Sequence, residues 1–148
     1  MRVTGVLKQW LEDMKWDEQP EIRSNRTSLT SFGYSFEDMN VSCFFEVDDA
    51  NEMIGLFMYV NEPKCPEGRV REVLTYFTAL NLTLPIGNMQ LLLDRRVARF
   101  YAAIDVTNAS LEPAHITNLM RAGVRTLSPV LPNYLAVCFG GRTAEEVL

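Results

Sequence analysis

Apolar residues open the chain at the spacing of one helical face. Val3, Val6, Leu7, Trp10, Leu11 and Met14 stand at i, i+3, i+4, i+7, i+8 and i+11, with Lys8, Gln9, Glu12 and Asp13 opposite, which predicts an amphipathic helix. The stretch from Asp17 to Ser28 is polar and broken by Pro20, so it predicts a connector with at most a short edge strand. Leu29 to Phe36 is a weak strand interrupted by Gly33. Residues 40–48 then alternate cleanly, Val41, Cys43, Phe45 and Val47 against Ser42, Phe44, Glu46 and Asp48. After the turn residues Asp49, Ala50 and Asn51, Met53 to Val60 returns as the partner strand of a hairpin. This second strand is apolar on both faces, Met53, Phe57 and Tyr59 against Ile54, Leu56, Met58 and Val60. A strand wetted on one side alternates, so this one is expected to be central and covered on both sides, by a helix or by a partner subunit.

Pro63 and Pro66 bracket a loop, and Val70, Val73, Leu74, Phe77, Leu80 and Leu84 then form a second helical stripe that Pro85 and Gly87 stop. Met89–Leu93 and Val97–Val106 read as another hairpin, turned by Asp94, Arg95 and Arg96. On its second strand Ala98, Phe100, Ala102, Ile104 and Val106 share a face. Pro113 marks a third helix start. Its stripe runs through Ile116, Leu119, Met120, Gly123, Leu127, Val130 and Leu131, and Pro132 is expected to kink or restart it. Thr143 and Glu146 are spaced as a capping box for a C-terminal helical stub over 143–148. Strands that come in hairpins predict a largely antiparallel sheet. The expected class is α+β, one domain over 1–148 in the order α-β-β-β-α-β-β-α.

The chain has 148 residues, 47% of them hydrophobic and 22% charged, which is globular composition. No run of 18 apolar residues predicts a membrane span. The first twenty residues carry Glu12, Asp13, Asp17 and Glu18 rather than an uninterrupted apolar core, so a secretory signal is not expected and the anticipated address is a reducing cytoplasm. The formal charge is −5 and unevenly spread. Residues 1–60 hold five bases and eleven acids, and residues 61–148 hold nine bases and eight acids. Such a chain offers no electrostatic footprint for nucleic acid. Arg95, Arg96 and Arg99 beside Asp94 read as the solvated charges of a turn.

Reactive side chains are few. Cys43, Cys65 and Cys138 form neither a disulfide framework nor a zinc motif. Cys43 and Cys138 lie in apolar runs and predict buried thiols, whereas Cys65, in the PKCPEG loop, is the one expected near solvent. The lone histidine, His115, falls in the first turn of the third helix, where a neutral ring is expected. Asp105 ends an apolar strand and reads as a strand-end cap or an arginine partner, with a partly buried carboxylate as the functional alternative. Asp48, Asp49 and Glu52 lack the spacing of a calcium loop and read as a hairpin turn. Gly140 and Gly141 read as a helix stop, without a phosphate-loop or nucleotide fingerprint. No catalytic residue, metal ligand or cofactor is predicted.

The stretch from Leu84 to Gly141 carries a resemblance. Leu84-Pro85-Ile86-Gly87-Asn88, the following hairpin, Leu111-x-Pro113 and the long helix reaching Leu131-Pro132 resemble the YbjN-domain family, described as candidate bacterial sensory transduction regulators. The opening helix with Trp16 and the NVSCFFEV hairpin fit the same layout, so the likeness covers nearly the whole chain. One departure is Glu112, where Thr or Ser before the proline is the more usual cap. The resemblance implies a type III secretion chaperone-like fold, a twisted antiparallel sheet flanked by helices and usually dimeric. It transfers no catalytic residue.

These readings converge on a non-enzymatic protein that acts by binding protein. The motive is a surplus of apolar surface, which an isologous homodimer or an extended client segment would cover. The candidate surface comprises Val70, Val73, Leu74 and Phe77 on the second helix, with Phe57, Tyr59 and Tyr101 on the strands. An enzyme built from Asp105, His115 or Cys65 would require the fold to bring those groups together.

Overall fold

A computed structural model describes residues 2–24, 27–36 and 39–148. Helix α1 (Arg2–Asp13) is followed by a two-residue strand β1 (Glu21–Ile22), then β2 (Thr27–Phe36), β3 (Met39–Asp48) and β4 (Met53–Val60). A short 3-10 turn at Glu67–Arg69 leads into α2 (Val70–Asn81). The hairpin β5 (Asn88–Leu92) and β6 (Val97–Asp105), the long helix α3 (Pro113–Phe139) and a stub α4 (Ala144–Val147) complete the chain. The anticipated α+β class and element order are therefore observed, with β1 as the short edge strand of the connector.

The six described strands join one antiparallel sheet in the order β1-β2-β3-β4-β6-β5. β6 is inserted between β4 and β5, so β4 is central and β5 pairs with β6 alone. Period-two alternation sends one set of side chains into the core. Val41, Cys43, Phe45 and Val47 of β3, Ile54, Leu56, Met58 and Val60 of β4, and Ala98, Phe100 and Ala102 of β6 are all buried.

The helices lie over that buried face. On α1, Val3, Leu7, Trp10 and Leu11 point inward. Trp10 meets Phe45 at 5.4 Å and Trp16 at 5.1 Å, and Trp16 meets Phe32 at 4.9 Å, an aromatic cluster that fastens α1 to β2 and β3. The Trp10 indole N–H also donates to Thr117 Oγ1 of α3 at 3.0 Å. The N-terminus of α1 is capped from a distance. Asp49 Oδ1 accepts from the backbone N–H groups of Val3 (2.8 Å) and Thr4 (3.1 Å), and Asp49 Oδ2 accepts from the Thr4 hydroxyl (2.6 Å).

Of the two outcomes expected at Pro132, a restart is not observed, for α3 continues through Pro129 and Pro132. Both prolines lie on the exposed side. The carbonyls they leave unbonded, four residues earlier at Arg125 and Ser128, therefore face water rather than the core. Meanwhile Val130, Leu131, Tyr134, Val137 and Cys138 remain buried, and that packing holds the last turns in register. Earlier in the helix Gly123 lets α3 approach the sheet, because a Cβ there would meet Met58 Sδ at 2.6 Å. α2 also ends sooner than its stripe suggested. The backbone N–H and hydroxyl of Thr83 both donate to the Leu80 carbonyl, closing the helix before Leu84. Asn81 then bridges to β5, its side chain donating to the Met89 carbonyl and accepting from the Met89 N–H.

Candidate functional site

Among the described residues, no helix lies on the opposite face of the sheet. Register places Ser31, Phe44, Phe57, Tyr101 and Asn88 in one row across β2, β3, β4, β6 and β5, and Gly33, Ser42, Tyr59, Arg99 and Gln90 in the next. Phe44, Phe57, Tyr59 and Tyr101 are each only partly buried. No described helix therefore supplies the second cover expected over β4, and within this chain its outer face is left uncovered.

These rings pack on each other instead. Phe57 stacks on Tyr101 at 4.7 Å and on Tyr59 at 6.2 Å, while Phe44 stands edge-on to Tyr59 at 5.6 Å. Arg99 lies across them. Its guanidinium carbon is 5.0 Å from the Phe57 centroid and 5.5 Å from that of Tyr59. Nε donates to Gln90 Oε1 at 2.5 Å and Nη1 donates to the Tyr59 hydroxyl at 2.8 Å. Arg95 reaches over the Tyr59 ring from the β5–β6 turn, at 5.9 Å. Between them the side chains enclose a shallow basin of about 420 Å³, with Phe44, Phe57 and Tyr59 as its apolar part, Arg95 and Arg99 at one end and Glu46 towards the other.

Phe57, Tyr59 and Tyr101 of the sequence-predicted surface are thus brought together. Phe44, Arg95 and Arg99 complete the group and were missed. Strand alternation puts Phe44 on the polar face of its strand, and proximity in sequence groups Arg99 with the turn charges, although it lies within β6. On α2 the picture splits. Leu74 is 36% exposed, Val70 is partly exposed, and both line an outward apolar strip with Leu82, which is 87% exposed. Val73 and Phe77 are not surface residues. They are buried, Phe77 against Tyr76 and Tyr134, because α3 and β5 cover that side of the helix.

The groups considered for catalysis are not brought together. Asp105 is exposed, and the Thr107 side chain and backbone N–H hold its carboxyl below the usual carboxylate range; it is a strand-end cap. His115 Nδ1 accepts from the Glu112 backbone N–H at 2.9 Å, closing the start of α3, which explains how Glu112 serves where Thr or Ser was expected. Cys65 is buried, contrary to expectation, because its backbone is clamped to Arg96: its N–H donates to the Arg96 carbonyl at 2.9 Å, and Arg96 Nε donates to the Cys65 carbonyl at 3.0 Å. Burial raises its thiol pKa, and pushes Cys43 and Cys138 up to about 12, so none is a ready nucleophile. The acidic turn is engaged too. Asp48 accepts from Asn51, Asp49 caps α1, and Glu52 pairs with Arg2 at 2.8 Å. Among the described residues no helix is long and apolar enough to cross a membrane.

This fold occurs among solved structures. The chain superposes on YbjN from E. coli, described as a candidate transcription regulator, with a TM-score of 0.59 over 89% of this chain and 90% of that one. It superposes on a chain of the HopA1-SchA chaperone-effector complex with a TM-score of 0.55 over 84% of this chain and 89% of that one. The chain has a YbjN-like, type III chaperone-like fold. Sequence identities are 13% and 12%, so the likeness is one of architecture. No protein-family model matches the chain, nor does any curated protein.

Proposed function

We propose that this protein is a non-enzymatic, chaperone-like or regulatory module that works by binding protein, as a homodimer in the cytoplasm. The observation that carries the reading is the uncovered aromatic row Phe44, Phe57 and Tyr101 with Tyr59 beside it. Exposed ring clusters on a sheet face mark interaction surfaces rather than folding requirements. Reactive groups, by contrast, are dispersed and tied into local structure. The neighbours in fold, a regulator candidate and a chaperone-effector complex, lend support by analogy.

The two apolar regions divide the work. The outward strip of α2, with Val70, Leu74 and Leu82, joins two copies. The open sheet face receives the partner as an extended segment. Light scattering at tens of micromolar is expected to give twice the 16.9 kDa chain mass, and Leu74→Glu to return it to the monomer. Affinity purification from the native cell is expected to recover a stoichiometric partner that Phe57→Glu loses. A monomer at high concentration overturns the dimer, and partner recovery indifferent to Phe57→Glu overturns the role of the open face.

A further inference from the structure

The basin over β3, β4 and β6 is polarised along the strands, and that polarity specifies what it holds. Arg99 is fixed by Gln90 and Tyr59 and lies over two rings, with Arg95 beside it. The ion pairs among the described residues use Arg2, Arg23, Arg96 and Arg142, so neither basin arginine has a carboxylate partner among those residues. A preorganised guanidinium with Nη2 uncommitted is a carboxylate receptor. Glu46 does not neutralise it. Glu46 lies opposite Gly55, four residues along β4 from Tyr59, which pairs with Arg99. At about 3.3 Å per residue that separation is about 13 Å, beyond the Debye length at physiological salt.

We propose that the basin binds an extended protein segment carrying a carboxylate and, two residues along, an aromatic or large aliphatic side chain. This rests on the protein-binding reading and names the chemistry of the segment. The spacing follows from the sheet. The Arg99–Tyr59 row and the Tyr101–Phe57–Phe44 row are two residues apart, about 6.6 Å, which is also the distance between same-face side chains of an extended segment laid along the strands. The carboxylate meets Arg99 and Arg95, and the apolar group covers Phe57, Phe44 and Tyr101. Glu46, further along, disfavours a second acid at that end and leaves the segment one polarity.

The test is an NMR titration of the 15N-labelled full chain with three capped peptides. One carries Asp-Thr-Phe in a Gly/Ser frame, one Asn-Thr-Phe and one Lys-Thr-Phe. The expected result is that the Asp peptide binds at least about 10-fold tighter than the Asn peptide, a difference of about 1.4 kcal/mol. Its shifts should centre on Tyr59, Arg99 and Tyr101, and its affinity should fall with added salt. Arg99→Gln should abolish the Asp over Asn preference while retaining the wild-type urea midpoint; should that variant not fold, Arg95→Gln is expected to reduce the same preference. Equal affinity for all three peptides, shifts centred elsewhere, or an undiminished preference in a folded arginine variant overturns the inference. So does a change in molecular mass on Arg99→Gln, which would place a second copy in the basin. If no peptide binds, the inference fails alone when partner recovery still depends on Phe57, and together with the protein-binding reading when it does not.

Discussion

Gly123 and Gly5 both sit inside helices, and replacing each by alanine should move stability in opposite directions. Alanine gains about 0.8–1 kcal/mol over glycine from helix propensity alone. At Gly5, on the exposed side of α1, a Cβ meets nothing within 4 Å, so the full gain is expected. At Gly123 the same atom would lie 2.6 Å from Met58 Sδ, 3.0 Å from Met58 Cε and 3.4 Å from Phe100 Cδ1. Favourable carbon contacts begin near about 3.5 Å, so the overlap approaches one ångström. Met58 and Phe100 are fully buried and have no solvent into which to retreat. Overpacking of this kind costs about 1–3 kcal/mol. The overlap falls on the far end of the Met58 side chain, which is flexible but buried, while Phe100 is in ordinary contact; the middle of that range, about 2 kcal/mol, applies, and the net loss is about 1 kcal/mol after the propensity gain. Urea unfolding of the two variants beside wild type measures this directly. Gly5→Ala should raise the midpoint and Gly123→Ala should lower it, a gap of about 2 kcal/mol. A stabilised Gly123→Ala would show that α3 does not approach β4 and β6 as closely as described.

Other outcomes follow from the caps and the thiols. Asp49→Ala removes three bonds from the start of α1 and should cost about 1–2 kcal/mol, with Asp49→Asn costing less; urea midpoints decide. His115→Ala should cost about 0.5–1 kcal/mol through loss of the Glu112 N–H acceptor and leave partner recovery unchanged, whereas loss of any catalytic turnover in the folded variant would revive the enzyme reading. Burial raises the Cys43 and Cys138 thiols from 9.0 to about 12. Unfolded thiols ionise near pH 9 while the buried ones stay protonated, so these groups leave stability flat below pH 9. Above it, stability should fall by up to about 1.4 kcal/mol per pH unit for each thiol. Denaturation at pH 8–10 should show a shallower decline in Cys43→Ala than in wild type, and parallel declines would refute the assignment.

Local periodicity made most of the architecture readable, because hairpin alternation and helical stripes are set by residues a few positions apart. What it could not show was which apolar residue faces which neighbour. Val70, Val73, Leu74 and Phe77 share one stripe, yet Phe77 is buried because Tyr134 of a distant helix stacks on it, while Leu74 is left at the margin. Arg99 is close in sequence to a charged turn, and its role became visible only once β6 was paired with β4, forty positions earlier, setting it on Tyr59. Cys65 looked solvent-facing in a proline-rich loop until the Arg96 clamp drew it in. A restart at Pro132 follows a sound local rule, overridden here because the unbonded carbonyls fall on the wet side of α3.

The placement of β6 between β4 and β5 has a consequence for how the chain is made. On a ribosome, β4 emerges with its inner edge unpaired and keeps it so until Val97–Asp105 has been added. At about 5–20 residues per second that interval is roughly two to nine seconds. During it an apolar strand offers bare backbone to any neighbouring nascent chain, and β5, arriving first, has nothing to zip onto. Translation pauses between Asn61 and Arg96 would lengthen that window, so synonymous codon choice in this stretch should affect the yield of native protein more than the same change after Asp105.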